Sequence, residues 1–435
     1  MVWFRLFYVI ILVLTALVLS QDNAYFPLPG NGVLQPPMHY QRYRRGEYNK
    51  EPYYQWWYYW IRDTKTNRNF ALAYSTTQCK GSKYCDFDAT ILMFALVDNS
   101  NNRRFQKYET YSHDSFSVKQ DFNVEIRSNN TQEPLFELIP QTNDVIKLKG
   151  HMKKENVDNV WICQNCEKSL EIEWDLTIRR IHGYYAQDIF ELPDKYLEGI
   201  IMWNTYTHTS QVEGTIKIGG EEFVIENKPH FRAYGDMNWG QIMPDAPPGK
   251  SGREYAWGWY YFNIPSDEVK SELSIIAGTG VSYADKILRT MEGKFSDVRL
   301  GNSTGIQFRR MSLWSQNFDS CSDGKIHKFE VERSQWMNLT DAFGVASIPM
   351  RQIVTLESSH YQIKLDFQSI ESNYNRLLFP FKNFIFSDFE ALGVKTTLTV
   401  FDVKSQVLLM NVTHNGGGLE YGYRYKVTVP PLPKL

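Results

Sequence analysis

Beyond its first 20 residues the chain has no long apolar run, since charged residues interrupt the later hydrophobic segments. A membrane-spanning helix needs about 20 consecutive apolar residues, so none is expected after the N-terminus. Charge of either sign is equally scarce in net terms. The 47 Lys and Arg nearly balance 49 Asp and Glu, leaving −2, which tells against a nucleic-acid partner. The one basic cluster, Arg42, Arg44 and Arg45, reads as solvated surface. Catalytic signatures are missing as well: there is no Gly-x-Ser-x-Gly elbow, phosphate loop, His-Glu-x-x-His or dinucleotide fingerprint, so no nucleotide or redox cofactor is expected. Cys163-Gln-Asn-Cys166 lacks the second Cys pair or closely spaced His pair that would complete four zinc ligands, and no metal is expected either. No internal repeat, low-complexity tract or sustained helical period is present.

What is there begins with a targeting segment. Arg5 precedes the apolar run Leu6 to Leu19, and Val18 and the small residue Ser20 follow the pattern of a cleavage site before Gln21. Residues 1–20 are read as a signal peptide, which predicts a secreted or secretory-lumen protein with no integral membrane segment after cleavage. Five cysteines, Cys79, Cys85, Cys163, Cys166 and Cys321, would then meet an oxidising compartment. The short spacings suggest Cys79 with Cys85 or Cys163 with Cys166, leaving Cys321 as the odd thiol. Asn129, Asn302, Asn338 and Asn411 open glycosylation sequons and are expected on the surface.

The remaining chain reads as strands. Leu170, Ile172, Trp174, Leu176 and Ile178 alternate with polar residues, as do Phe122, Val124 and Ile126, then Tyr361, Ile363, Leu365 and Phe367, and finally Tyr421 to Val429. That period of two gives each strand one apolar and one polar face. Gly219-Gly220 between Val212–Ile218 and Phe223–Ile225 is a two-residue hairpin signal. An aromatic content of 15% suits wide β interiors. The expected fold is all-β, two antiparallel barrels in tandem, because closure removes exposed edges. A Pro- and Arg-rich leader occupies 21–52, the first barrel 53–264 and the second 265–435, with the boundary placed at the Ile264-Pro265 turn.

Two aromatic clusters stand out: Tyr53-Tyr54-Gln55-Trp56-Trp57-Tyr58-Tyr59-Trp60 and Tyr234-Gly235-Asp236-Met237-Asn238-Trp239-Gly240. At strand period the first must send alternate rings to opposite faces, so one face is free to line a cavity or to pack two sheets or domains together. Asp236 has two readings: a carboxyl desolvated among rings, held protonated as a general acid, or a buried carboxylate that locks a turn with help from Asn238. His208, near Trp203 in a Thr-rich stretch, reads as exposed.

Trp56-Trp57-Tyr58, Trp203 followed by Val212-Glu213-Gly214-Thr215-Ile216, Tyr234-x-Asp236-x-Asn238-Trp239-Gly240 and Trp257-x-Trp259 resemble, in order and spacing, the lipocalin-like carotenoid hydratases of the hydroxyneurosporene synthase type and their relatives, among them fungal Diels-Alderases. The last 150 or so residues match in strand character and in Gly417-Gly418-Leu419-Glu420. The resemblance implies lipocalin-like barrels around an apolar ligand cavity, with Tyr234 and Asp236 as the catalytic acid pair and Trp57, Trp203, Asn238, Trp239 and Trp257 as ligand-binding residues. Gly235 and Met237 stand where the family commonly has histidines, and Gln55 where it has Glu; these departures count against hydration as the reaction. The expectation is a binder and cyclase or isomerase of a polyene or terpenoid-like molecule, with a non-catalytic carrier or an acid-type hydratase using Asp236 as the alternatives. A pericyclic catalyst needs mainly a shaped cavity.

Overall fold

The computed structural model describes residues 53–426 apart from 79–87, 113–114, 119–123, 128–133, 143, 154–169, 182–200, 242–254, 267–272, 283–290, 300–305, 314–315, 321–327, 342–343, 358, 371–373 and 382–383. All regular structure there is strand, as the uninterrupted period of two requires. The first sheet holds β1 (Tyr53–Asp63), β2 (Arg68–Gln78), β3 (Asp88–Asp98), β4 (Arg103–Ser112), β5 (Phe116–Val118), β6 (Val124–Ile126), β7 (Phe136–Pro140), β8 (Val145–Met152), β9 (Ile172–Arg180), β10 (Ile201–Ile218), β11 (Glu221–Ile225) and β12 (Phe231–Gln241). The second holds β13 (Tyr255–Ile264), β14 (Leu273–Ser282), β15 (Met291–Arg299), β16 (Ile306–Leu313), β17 (Gln316–Ser320), β18 (Lys328–Asp341), β19 (Gly344–Glu357), β20 (Tyr361–Gln368), β21 (Tyr374–Phe381), β22 (Phe384–Asp402) and β23 (Leu408–Lys426).

The strand orders are β4-β3-β2-β1-β12-β10-β9-β8-β7-β6-β5 and β17-β16-β15-β14-β13-β23-β22-β20-β19-β18, with β11 and β21 pairing to β10 and β22. Every pairing is antiparallel. β2 and β7 lie six places apart in the first order, which in a flat sheet would separate them by about 29 Å at 4.8 Å per strand. Yet the rings of Tyr74 and Phe136, one on each, have centroids 4.0 Å apart, and Phe94 on β3 stacks near Trp174 on β9 at 6.3 Å. The sheet is therefore rolled around its own aromatic interior. The second sheet rolls likewise, bringing Tyr260 of β13 within 2.9 Å of Gln352 of β19. The all-β, two-barrel architecture expected from the sequence is the observed fold. The sheet changes between Gln241 and Tyr255, ahead of the Ile264-Pro265 turn: β13 leaves the first sheet because its register runs to β14 and β23.

Local chemistry accounts for the pieces. β9 shows the alternating burial its sequence predicts, and the β10–β11 hairpin turns on Gly219 and Gly220 at φ of +57° and +92°, conformations that a Cβ disfavours. Trp57, Tyr59 and Ile61 project from β1 into the first barrel's core with Phe70, Leu72 and Tyr74. Trp56, Tyr58 and Trp60 project the other way, into a separate cluster shared with Tyr234 of β12, Trp259 and Tyr261 of β13, Ile276 of β14 and Leu392 of β22. This second cluster joins the barrels.

Polar arms tie the junction around its apolar centre. Arg62 donates to the Gly416 carbonyl at 2.7 Å and to Asn263 Oδ1, and its guanidinium lies 5.3 and 5.2 Å from the Trp60 and Tyr261 ring centres. Asn67, Asn99 and Arg104 donate to the carbonyls of Gly393, Leu392 and Tyr374. Gly418 is where β23 yields space, because a Cβ there would meet the Trp60 ring at 2.7 Å.

Candidate functional site

The antiparallel register of β1 with β12 sets Trp56 beside Asn238, Tyr58 beside Asp236 and Trp60 beside Tyr234, so the two aromatic motifs are neighbouring strands. Both faces of β1 are buried: one in the barrel core, the other between barrels. On the junction side the Tyr234 hydroxyl donates to Asp236 Oδ2 at 2.5 Å, and Trp259 Nε1 donates to the Tyr234 oxygen at 3.1 Å. This hydrogen-bonded chain starts on the second barrel and ends on the first. Asp236 is 5% exposed.

The second barrel contributes acids that the sequence reading did not single out. Asp388 and Glu390 are two residues apart on β22, which places both on one face about 7 Å apart. Glu420 of β23 pairs with Glu390 and, on its other side, with Trp259, while Asn375 of β21 pairs with Glu390. Directly opposed residues of an antiparallel pair share a face. A row of Asn375, Glu390, Glu420 and Trp259 thus crosses four strands, with Asp388 one step away. Asp388, Glu390 and Asn375 are buried.

Burial dominates the electrostatics. Desolvation, reinforced by the negative charge of Asp236, pushes Asp388 up to about 8. Glu390 is raised well above the ordinary carboxyl range by burial and then by Asp388 and Asp236, with the Tyr58 hydroxyl opposing the rise. Tyr58 itself is raised by burial and by Glu390, Glu420 and Asp236. Its hydroxyl faces Glu390 without closing an ordinary hydrogen bond, and Asp388 Oδ1, both Glu390 oxygens and both polar atoms of Asn375 also lack one. Charge excluded from water and uncompensated stays neutral by holding its proton. The Tyr234 hydrogen bond to Asp236 is of the kind that is strongest to an ionised carboxylate. The junction therefore sets carboxyls that burial holds protonated on one barrel against a carboxyl hydrogen-bonded by Tyr234 on the other, an arrangement suited to moving protons between two points.

Of the residues expected at a site, the structure brings Tyr234 and Asp236 together. Trp57 lies on the opposite face of β1, fully buried in the first barrel and stacked on Tyr74 at 5.6 Å. Gln55 shares that inner face and is buried. The strands carrying Trp203, His208, Asn238, Trp239 and Trp257 are placed, and Trp203 pairs with Asn238 in the backbone register, but these side chains lie outside the described residues, as do all five cysteines, Asn129 and Asn302. Asn338 and Asn411 are exposed. Among the described residues no group of His, Cys, Asp and Glu is arranged to hold a metal ion, and no helix is long and apolar enough to cross a membrane.

The signal for Asp388 and Glu390 was present in the alternation of β22, where they alternate with Phe389 and Ala391. Taken alone, that pattern says polar face and hence solvent; only the docking of the first barrel makes the face dry.

No family model and no curated protein matches the chain. Solved structures are similar at low identity. A Nitrosomonas europaea protein provisionally named AttH is 11% identical with a TM-score of 0.47, the match covering 91% of this chain and 98% of that one. CghA is 10% identical with a TM-score of 0.44, covering 86% of this chain and 88% of that one, and CghA with Sch210972 gives 10%, 0.43, 86% and 89%.

Proposed function

We propose that the chain is an acid–base catalyst that isomerises or cyclises an apolar, unsaturated small molecule at the junction of its two barrels, in a secretory compartment. The observation that carries this reading is the buried set of Asp388, Glu390 and Asp236 among Tyr58, Tyr234 and Trp259. In the proposed step the Asp388 carboxyl proton goes to an alkene carbon: the π pair forms the new C–H bond, and positive charge develops on the neighbouring carbon. Ring faces stabilise that charge as they do other cations. Asp236 then accepts a proton from an adjacent carbon, whose C–H pair restores a double bond, after isomerisation directly or after ring closure. Solvent exchange returns the proton to Asp388. Relative to the sequence expectation, the acid's role moves from Asp236 to Asp388 and Glu390, and Asp236, held by Tyr234, becomes the base. The motif resemblance and the exposed Asn338 and Asn411 support the ligand class and the compartment.

The test is product formation from a panel of polyenes and terpenoid alkenes in deuterated water. Deuterium should enter the product carbon skeleton, and Asp388→Asn should lower turnover by about 10²-fold, the usual scale of acid–base catalysis. Product without deuterium would replace this reading with a pericyclic one. Retained ligand without product would make the chain a carrier.

A further inference from the structure

We propose that Asp388, Glu390, Asn375 and Tyr58 form a binding site for an alkylammonium group, the charged head of an otherwise apolar ligand. The inference goes beyond the proton-transfer reading and stands whether or not the site turns over a substrate.

The first argument is the inventory of unsatisfied atoms. Buried polar groups in folded proteins nearly always have hydrogen-bond partners, and exceptions call for an occupant. Here Asp388 Oδ1, Glu390 Oε1 and Oε2, Asn375 Oδ1 and Nδ2 and the Tyr58 oxygen have none. Five of those six atoms offer lone pairs. An ammonium group presents three donors and no acceptor, which complements such a wall better than a hydroxyl or a carboxylate does. Asn375, fully uncharged and 1% exposed, is unsatisfied independently of the acids beside it.

Charge makes the second argument. Among the described residues, the charged groups that act on Asp388, Glu390 and Tyr58 are Asp236 from β12, Glu420 from β23 and the two acids of β22 themselves. All are acidic. Arg62, at the far end of the aromatic layer, is engaged by Gly416 and Asn263, and Arg104 donates to the Tyr374 carbonyl. A cation brought by a ligand would meet acids from three strands.

The third argument is aromatic. Tyr234 lies 5.1 Å from Trp259, 4.9 Å from Tyr261 and 6.3 Å from Tyr58, centroid to centroid. Ring faces attract cations, and the Arg62 guanidinium over Trp60 and Tyr261 shows this same layer accepting one.

Binding a fixed positive charge must draw protons off the neighbouring carboxyls. Asp388 holds its proton up to about pH 8, so ammonium binding at neutral pH releases protons to the buffer, up to about one per site. The experiment is calorimetric titration of the full chain with hexylammonium, hexanol and hexanoate near pH 7, in two buffers of different ionisation enthalpy. Hexylammonium should bind about tenfold or more tightly than hexanol, the scale of a hydrogen bond to a charged group, with proton release, and hexanoate should bind weakest. Glu390→Gln and Asp388→Asn should each remove most of that preference. Hexanol or hexanoate binding as tightly as hexylammonium, or no binding of hexylammonium, overturns the proposal, and this comparison needs no variant. Loss of deuterium incorporation alone would remove the proton-transfer reading and leave this one standing.

Discussion

Two buried polar clusters, one in each sheet, obey opposite rules. Inside the first barrel, Lys107 donates to the carbonyls of Lys153 and Leu170 and faces Glu109 at 3.4 Å, while Tyr111 donates to Glu109. Burial lowers the Lys107 ammonium and raises the Glu109 carboxyl, but each has its opposite charge in place. At the junction Asp388 and Glu390 have acids for neighbours. The compensated cluster pins the strands around the barrel's interior, and the uncompensated one stores protons. Buried charge with its counter-charge is architecture; buried acid without one is a chemical resource.

The comparison breaks most visibly through Lys107. Lys107→Met strands Glu109 without its cation in the core and should destabilise the chain by about 3–5 kcal/mol, the cost of breaking a buried pair from one side, measured by denaturant unfolding. An unfolding midpoint equal to the parent's would mean the pair is not structural. Trp57→Ala should cost a comparable 3–5 kcal/mol, as large-to-small core changes do, with turnover surviving in the folded fraction, whereas Trp60→Ala on the other face should also impair product formation. Equal effects of the two on activity would erase the distinction between the faces of β1.

How much of this was legible beforehand follows from period and register. Alternation along β9, β20 and β23 is a local property, so the strands, the Gly219-Gly220 hairpin and the opposite destinations of the rings of β1 could be read from the chain. Tyr234 and Asp236 were legible because they sit in one motif. Asp388, Glu390 and Asn375 were not, because their distance from water is created by strands far away in the chain, β1 and β12, with Tyr58 set against Asp236. A polar face in sequence does not say what will cover it.

Smaller effects sharpen the account. The folded chain holds the Asp388 proton up to about pH 8, while an unfolded Asp releases it near 4. Between those values the folded state binds more protons, so this group's stabilisation is complete below about pH 4 and is lost as pH rises through about 8. Asp388→Asn should flatten that decline, gaining on the parent near pH 9 and matching it near pH 4; a parent that grows more stable across this range would reverse the sign and refute the assignment. Smallest of all, Arg179→Ala removes an exposed pair with Glu213 at 3.1 Å and should change stability by less than about 1 kcal/mol. A larger loss would mean that exposed charge matters here as buried charge does.

The central claim is that the junction keeps carboxyl protons at neutral pH, and infrared difference spectroscopy observes such protons directly. With the parent as reference, Asp388→Asn at about pH 7 should remove a protonated-carboxyl C=O band, and that band should titrate away in the parent near pH 8. A parent spectrum at neutral pH with no protonated-carboxyl band sensitive to Asp388→Asn or Glu390→Gln would contradict the account.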